Sequence, residues 1–130
     1  MTPIRILLVD DQVLFRESLH AFLSLQPDYR VVGEAANGEQ AIRLAATLKP
    51  DVILMDVRMP VMDGLQATRW IKSQWPQVRV VVLTMYAAGR REALAAGADA
   101  FLLKGDPIER VLEALSPDTL HHGSNRSTEA

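Results

Sequence analysis

Five side chains in this sequence have the types needed to handle a phosphoryl group: the adjacent acids Asp10 and Asp11, a third acid Asp56, the hydroxyl of Thr84 and the amine of Lys104. Three carboxylates gathered at one point repel by about 4 kcal/mol per pair of unit charges 4 Å apart at an effective dielectric of 20, so such a group calls for a cation. Mg²⁺ suits it, because that ion takes hard oxygen ligands, keeps several waters and is often held by one or two carboxylates plus a phosphate. One divalent cation and the Lys104 ammonium balance three carboxylates and can share the added charge of a phosphoryl group. Asp56 is then the nucleophile, and in-line transfer to it gives an acyl phosphate. Thr84 donates its hydroxyl to a phosphoryl oxygen. That bond exists only when the phosphoryl is present, so it can draw the following loop inward and bias the domain between two arrangements.

The elements that must position these groups are legible as apolar runs. Val52-Ile53-Leu54-Met55 lies between Lys49-Pro50-Asp51 and Met59-Pro60, and is too short for a helix but suits a strand buried on both faces. Asp56 follows it directly. Residues 4–9, 78–83 and 100–103 are similar runs, ending at Asp10-Asp11, Thr84 and Lys104. A weaker strand, nearer an edge, is expected over residues 29–35. Helical patterns separate the strands: Phe15, Leu19, Phe22 and Leu23; Ala41, Leu44, Ala45 and Leu48 after an Asn37 cap with Gln40; Ala67, Trp70 and Ile71 after an Asp63 cap with Gln66. Residues 90–96 leave room for about two turns, stopped by Gly97. Asp106-Pro107-Ile108-Glu109 reads as a capping acid, a first-turn proline and a third-position glutamate, with Ile108, Val111, Leu112 and Leu115 as the apolar face. Strand and helix alternating five times predict a doubly wound parallel α/β sheet, whose carboxyl edge is where ligands bind.

A length of 130 residues, 48% hydrophobic and 23% charged, predicts one domain over residues 1–116 and a flexible tail or linker over residues 117–130. A net charge of −2 argues against a phosphate-gripping basic face, so no nucleic acid is expected to bind this segment. The absence of cysteine removes disulfides, thiolate metal sites and cysteine nucleophiles. No apolar run approaches the ~20 residues that span a bilayer, and no leader precedes the first strand, so a soluble cytoplasmic protein is expected.

With these motifs in hand, the chain resembles the receiver domain of bacterial two-component response regulators. The resemblance rests on Leu8-Val9-Asp10-Asp11, on the run from Leu54-Met55-Asp56 through Met59-Pro60 to Asp63-Gly64, on Leu83-Thr84-Met85, and on Gly97-Ala98-Asp99-Ala100-Phe101-Leu102-Leu103-Lys104. Asp10-Asp11-Gln12-Val13-Leu14-Phe15-Arg16 and Thr84-Met85-Tyr86 are most similar to the NarL/FixJ type. The resemblance implies a flavodoxin-like (CheY-like) strand order 2-1-3-4-5. It further implies Asp56 as phosphoacceptor from a histidine kinase, Mg²⁺ on Asp10, Asp11, Asp56 and the Arg58 backbone carbonyl, Lys104 on the phosphoryl group, and Thr84 and Phe101 as the switch pair. A homodimer on phosphorylation and transcriptional output through a C-terminal DNA-binding domain complete the expectation. Gln12 stands where relatives of this type often have histidine, and is expected only to adjust the rim of the site. Residues 84–104 look shorter than usual, with Ala87-Ala88-Gly89 replacing an acidic loop, so a short or displaced fourth helix is expected.

Two other readings stay open at this point. A haloacid-dehalogenase-like hydrolase also uses a strand-end Asp, Mg²⁺, Thr and Lys, but normally carries a second acid where this chain has Arg58. A receiver-shaped docking module without phosphorylation would fit the shortened fourth unit. Taken singly, Phe101 reads as core, Thr84 equally as a switch hydroxyl or an ordinary strand residue, Asp63 and Asp106 as caps or loop acids, Trp70 and Trp75 as packing residues, and His20 as an exposed helix residue.

Overall fold

A computed structural model describes residues 2–116; the expected tail or linker, residues 117–130, lies outside the described residues. Five strands, β1 (Ile4–Val9), β2 (Tyr29–Ala35), β3 (Val52–Met55), β4 (Arg79–Thr84) and β5 (Ala100–Leu103), form one parallel sheet in the order β2-β1-β3-β4-β5. Between and after them come α1 (Val13–Ser24), α2 (Gly38–Leu48), α3 (Gly64–Gln74), α4 (Arg90–Ala95) and α5 (Ile108–Leu115). The weak strand sits at the edge, as its partly alternating pattern predicts.

Period-two alternation along the strands sorts the core into two layers. Leu7, Val9, Ile53, Met55, Val80, Val82 and Phe101 face Ala41 and Ala45 of α2, Ala67 and Ile71 of α3 and Ala93 of α4. Ile6, Leu8, Val52, Leu54, Val81, Leu83 and Leu102 face Leu19 and Leu23 of α1 and Val111, Ala114 and Leu115 of α5. Small residues on α2, α3 and α4 meet large ones on the sheet, which lets those helices lie close. Fully burying one of the larger side chains is worth about 1.5–3 kcal/mol, so the sheet centre dominates stability.

Local chemistry sets the helix starts. The Asn37 side chain accepts the Gln40 backbone N–H at 2.9 Å, and the Gln40 amide oxygen accepts the Ala36 N–H at 2.8 Å. Asp63 and Gln66 form a complete capping box at α3. Two expectations change here. Asp106 does not cap α5: its carboxylate accepts the Leu103 N–H at 2.9 Å, closing the turn after β5, and Pro107 takes the cap position without a side-chain bond. Trp70 is 43% exposed, while Thr68 takes the buried place on α3. The Trp70 ring instead meets Trp75 edge-on, with centroids 5.4 Å apart.

Strand register brings the chemically active ends together. Val9 pairs with Met55, Met55 with Val82, and Thr84 with Leu103. The hydrogen-bond ladder then runs one residue past the strands: Asp10 N–H to the Ala35 carbonyl at 3.0 Å, Asp56 N–H to Val9 at 2.9 Å, and Lys104 N–H to Thr84 at 2.8 Å. Two backbone features shape the loop after β3. A Cβ on Gly64 would lie 1.8 Å from the Asp56 carbonyl oxygen, so only glycine fits. Val61, a β-branched residue, is held at φ 69°, in the left-handed region it normally avoids.

Candidate functional site

The carboxyl edge of the sheet gathers three of the predicted acids. Carboxylate oxygens of Asp10, Asp11 and Asp56 lie within 4.8 Å of one another. Asp10 and Asp56 are buried, whereas Asp11 is exposed on the rim. The Lys104 amine reaches in from the end of β5, 2.7 Å from Asp10 Oδ2 and 3.4 Å from Asp56 Oδ2. Its side chain is buried, and its Nζ stands 4.5 Å from the centroid of the Phe15 ring, a cation–π contact that shields one side of the ammonium.

Each buried carboxylate is held on both oxygens. Asp10 Oδ1 accepts the Gln12 N–H at 2.9 Å while Oδ2 faces Lys104. Asp56 Oδ1 accepts the Val57 N–H at 2.8 Å while Oδ2 faces Lys104. Burial, and then the neighbouring charge of Asp10, push the Asp56 carboxyl up to about 6, against the opposing pull of Lys104 and the Val57 N–H. Three carboxylates against one ammonium leave negative charge in excess here. Hard oxygen donors with an uncompensated charge fit a hard divalent cation and do not fit a softer metal that prefers sulfur or nitrogen.

Thr84 and Phe101 fall elsewhere. Thr84 is buried at the end of β4, with its Oγ1 accepting the Tyr86 N–H at 3.4 Å. Together with Val57, Arg58, Leu65, Tyr86 and Ala88 it lines an open cavity of about 220 Å³. The Arg58 guanidinium lies 4.0 Å over the Tyr86 ring, joining the loop after β3 to the loop after β4 across that cavity. Phe101 belongs to the core layer under α4, with the Arg90 guanidinium 5.8 Å from its ring centroid. Thr84 shares that cavity with Val57 and Arg58, the two residues that follow Asp56 in the chain, whereas Phe101 does not line it.

Gln12 is nearer the chemistry than a rim residue. Its amide oxygen accepts from Lys104 Nζ at 2.8 Å, so the ammonium is shared between Gln12 and Asp10 at distances shorter than its distance to Asp56. Sequence spacing gives no sign of this, because Gln12 and Lys104 are 92 positions apart. The fourth unit is short, as expected: a single 3₁₀ turn at Ala87–Gly89 leads into the six residues of α4.

Comparison with known proteins agrees with this geometry. Response regulator protein VraR of Staphylococcus aureus is 42% identical over 114 residues, covering 86% of this chain and 54% of its own length. VraR of Staphylococcus saprophyticus is 42% identical over 115 residues, with 87% and 55% covered. The chain thus spans about half the length of the curated relatives it matches. Among solved structures, a LuxR-family two-component response regulator from Aurantimonas superposes with a TM-score of 0.81 at 30% identity, covering 98% of this chain and 100% of that one. The response regulator domain of Thermotoga maritima CheB gives 0.75 at 36% identity, with 93% of each chain covered. The NarL/FixJ-type wording of the first strand and helix is consistent with these relatives. The family described as the response regulator receiver domain matches residues 6–116, and with an acid pocket at the carboxyl edge of a 2-1-3-4-5 sheet this chain belongs to it: a receiver domain of a two-component response regulator.

Proposed function

We propose that Asp56 is the phosphoacceptor and that the domain is a switch thrown by its phosphorylation. The observation that carries this reading is the meeting of Asp10, Asp11, Asp56 and Lys104 from three separate strand ends. A carboxylate oxygen of Asp56 attacks the phosphorus of a phosphohistidine on a sensor histidine kinase. The P–N bond breaks, the P–O bond forms, and the departing imidazole takes a proton from solvent. Asp10, Asp11, Asp56 and the Arg58 carbonyl would hold Mg²⁺, which when bound supplies charge neutralisation for the incoming phosphoryl oxygens. Lys104 leaves Gln12 and Asp10 to bind one of those oxygens. Thr84 turns its hydroxyl from the Tyr86 N–H to another, and in doing so draws Tyr86 and the loop before α4 toward Asp56. Phe101, packed beneath α4, repacks as that loop moves.

Chemistry in this reading is limited to self-directed phosphotransfer and autodephosphorylation. The switch works in the cytoplasm, where phosphorylation favours a homodimer, and acts on transcription through an output domain of the longer protein. Among the described residues no helix is long and apolar enough to cross a membrane.

Incubation with Mg²⁺ and acetyl phosphate followed by intact mass tests the reading. One added phosphoryl is expected on the wild type and none on Asp56→Asn. A wild type that stays unmodified while a control receiver reacts would instead establish a docking module, and many phosphoesters turned over per chain would establish a hydrolase.

A further inference from the structure

Asp10 is fixed at four polar atoms, and three of those contacts belong to the strand ladder or the acid pocket: its N–H on Ala35, Oδ1 on Gln12 and Oδ2 on Lys104. The fourth does not. Its backbone carbonyl accepts from Nη1 of Arg16, which stands on the first turn of α1 with its side chain only 15% exposed. The same guanidinium places Nε 2.6 Å from Glu34 Oε1. Glu34 lies on the edge strand β2, in register with Leu8, and its other oxygen meets Nδ1 of His20, one helical turn along α1 from Arg16. Although burial pushes the Glu34 carboxyl up, His20 and Arg16 outweigh it and hold that carboxyl below its ordinary value, so Glu34 stays charged. Neither His20 nor Glu34 belongs to the cluster of acids, and Arg16 lines the small cavity beside Asp10 and Asp56.

A peptide unit is planar, so fixing the Asp10 carbonyl also fixes the N–H and the Cα of the next residue. That residue is Asp11, the exposed member of the acid pocket. We infer that Arg16 is a positioning residue for metal binding: braced by Glu34 and His20, it sets the Asp10–Asp11 peptide and with it the direction from which Asp11 offers its carboxylate. The role rests on the Mg²⁺ site described under the proposed function. Arginine suits it because one rigid fork must serve two acceptors, a carbonyl and a carboxylate; a lysine ammonium would carry the charge without the fixed angle between the two bonds. Partners that orient a metal's ligands typically alter affinity by about 10–100-fold when removed.

Calorimetric titration with Mg²⁺ tests this on the wild type, Arg16→Met, Arg16→Lys and Glu34→Gln, each also followed by urea unfolding. Arg16→Met is expected to weaken Mg²⁺ binding about tenfold or more, Arg16→Lys to recover part of the loss, and Glu34→Gln to cost less than Arg16→Met. The Mg²⁺ concentration that half-saturates labelling by acetyl phosphate should shift by the same factor, while the labelling rate at saturating Mg²⁺ stays within about twofold, because the guanidinium is bonded to the Asp10 carbonyl and Glu34 and not to the Asp56 carboxylate. Wild-type affinity in Arg16→Met alongside a lowered urea midpoint would overturn the inference and leave a purely structural bridge. Should Arg16→Met fail to fold, unchanged affinity in Glu34→Gln overturns it equally. A wild type that binds no Mg²⁺ removes the metal site itself, whereas wild-type binding with unaltered variants removes only the role of Arg16.

Discussion

Two neighbouring pairs of strands are built to different standards. At the carboxyl ends of β1 and β3 the polar groups are paired and the backbone is crowded: Asp10 and Asp56 are tied on both carboxylate oxygens, α2 and α3 begin with side-chain caps, and Gly64 packs against the Asp56 carbonyl. Around β4 and β5, α4 has six residues against eleven or twelve in α1, α2 and α3, begins at Gly89 without a side-chain cap, and buries only Ala93. Nothing lies within 4 Å of where a Cβ on Gly89 would be. The difference teaches a division of labour. Phosphotransfer needs fixed geometry, whereas a response needs an element whose alternative arrangement costs little, and such elements come from the weakly held parts of a fold.

Four substitutions can break that contrast, beginning with the largest effect. Gly64→Ala should cost about 3 kcal/mol or more, since the new Cβ meets backbone and not a movable side chain; a urea midpoint close to wild type would show that the crowded side yields more easily than its contacts imply. Asp56→Asn should raise the Mg²⁺-free melting temperature at pH 7.5 by roughly 3–6 °C and by about half as much at pH 5. The sign follows from a folded-state carboxyl near 6 against an ordinary value of 3.8: the folded protein binds the proton more tightly, so stability falls as pH rises from about 4 to 6 and the penalty is complete above that window. Melting curves with equal shifts at both pH values would contradict this, and saturating Mg²⁺ should shrink the shift at pH 7.5. Val61→Gly should stabilise by about 1 kcal/mol through relief of the positive φ, as read from thermal unfolding. Smallest, Gly89→Ala should stabilise by about 0.4–1 kcal/mol because its φ of −88° suits alanine and the space is open; a loss of stability there would mean that the fourth unit is as tightly fitted as the third.

How much could be read from the sequence follows the range of the interaction. Caps at Asn37 and Asp63 act over three residues and were readable, as was the stop at Gly97, found at φ 105°. The meeting of the acids with Lys104 was readable because a parallel sheet puts all strand ends on one edge; Thr84 ends its strand on the same edge but lines a neighbouring cavity. The strand order itself came only from resemblance, since alternation of strand and helix is the same for other doubly wound orders. Asp106 misled because proline with an acid before it signals a cap, yet the same carboxylate can reach back to the Leu103 N–H. Trp70 misled because three apolar residues at helical spacing leave the centre of the buried face loosely defined, and the structure centres it on Ala67, Thr68 and Ile71. Gln12 on Lys104 and Arg16 on Glu34 join distant elements and carry no local pattern, so only the fold reveals them.

The edge-on indole pair has a practical consequence for spectroscopy. Both tryptophans of the chain lie in or just after the later turns of α3, and Trp75 lines the cavity of about 590 Å³ at the amino edge of the sheet, across the molecule from the carboxylates. Their ultraviolet emission should therefore follow loss of tertiary packing while staying nearly constant as ions or phosphodonors are added. Such a built-in reporter reads the fraction folded without interference from the fraction loaded.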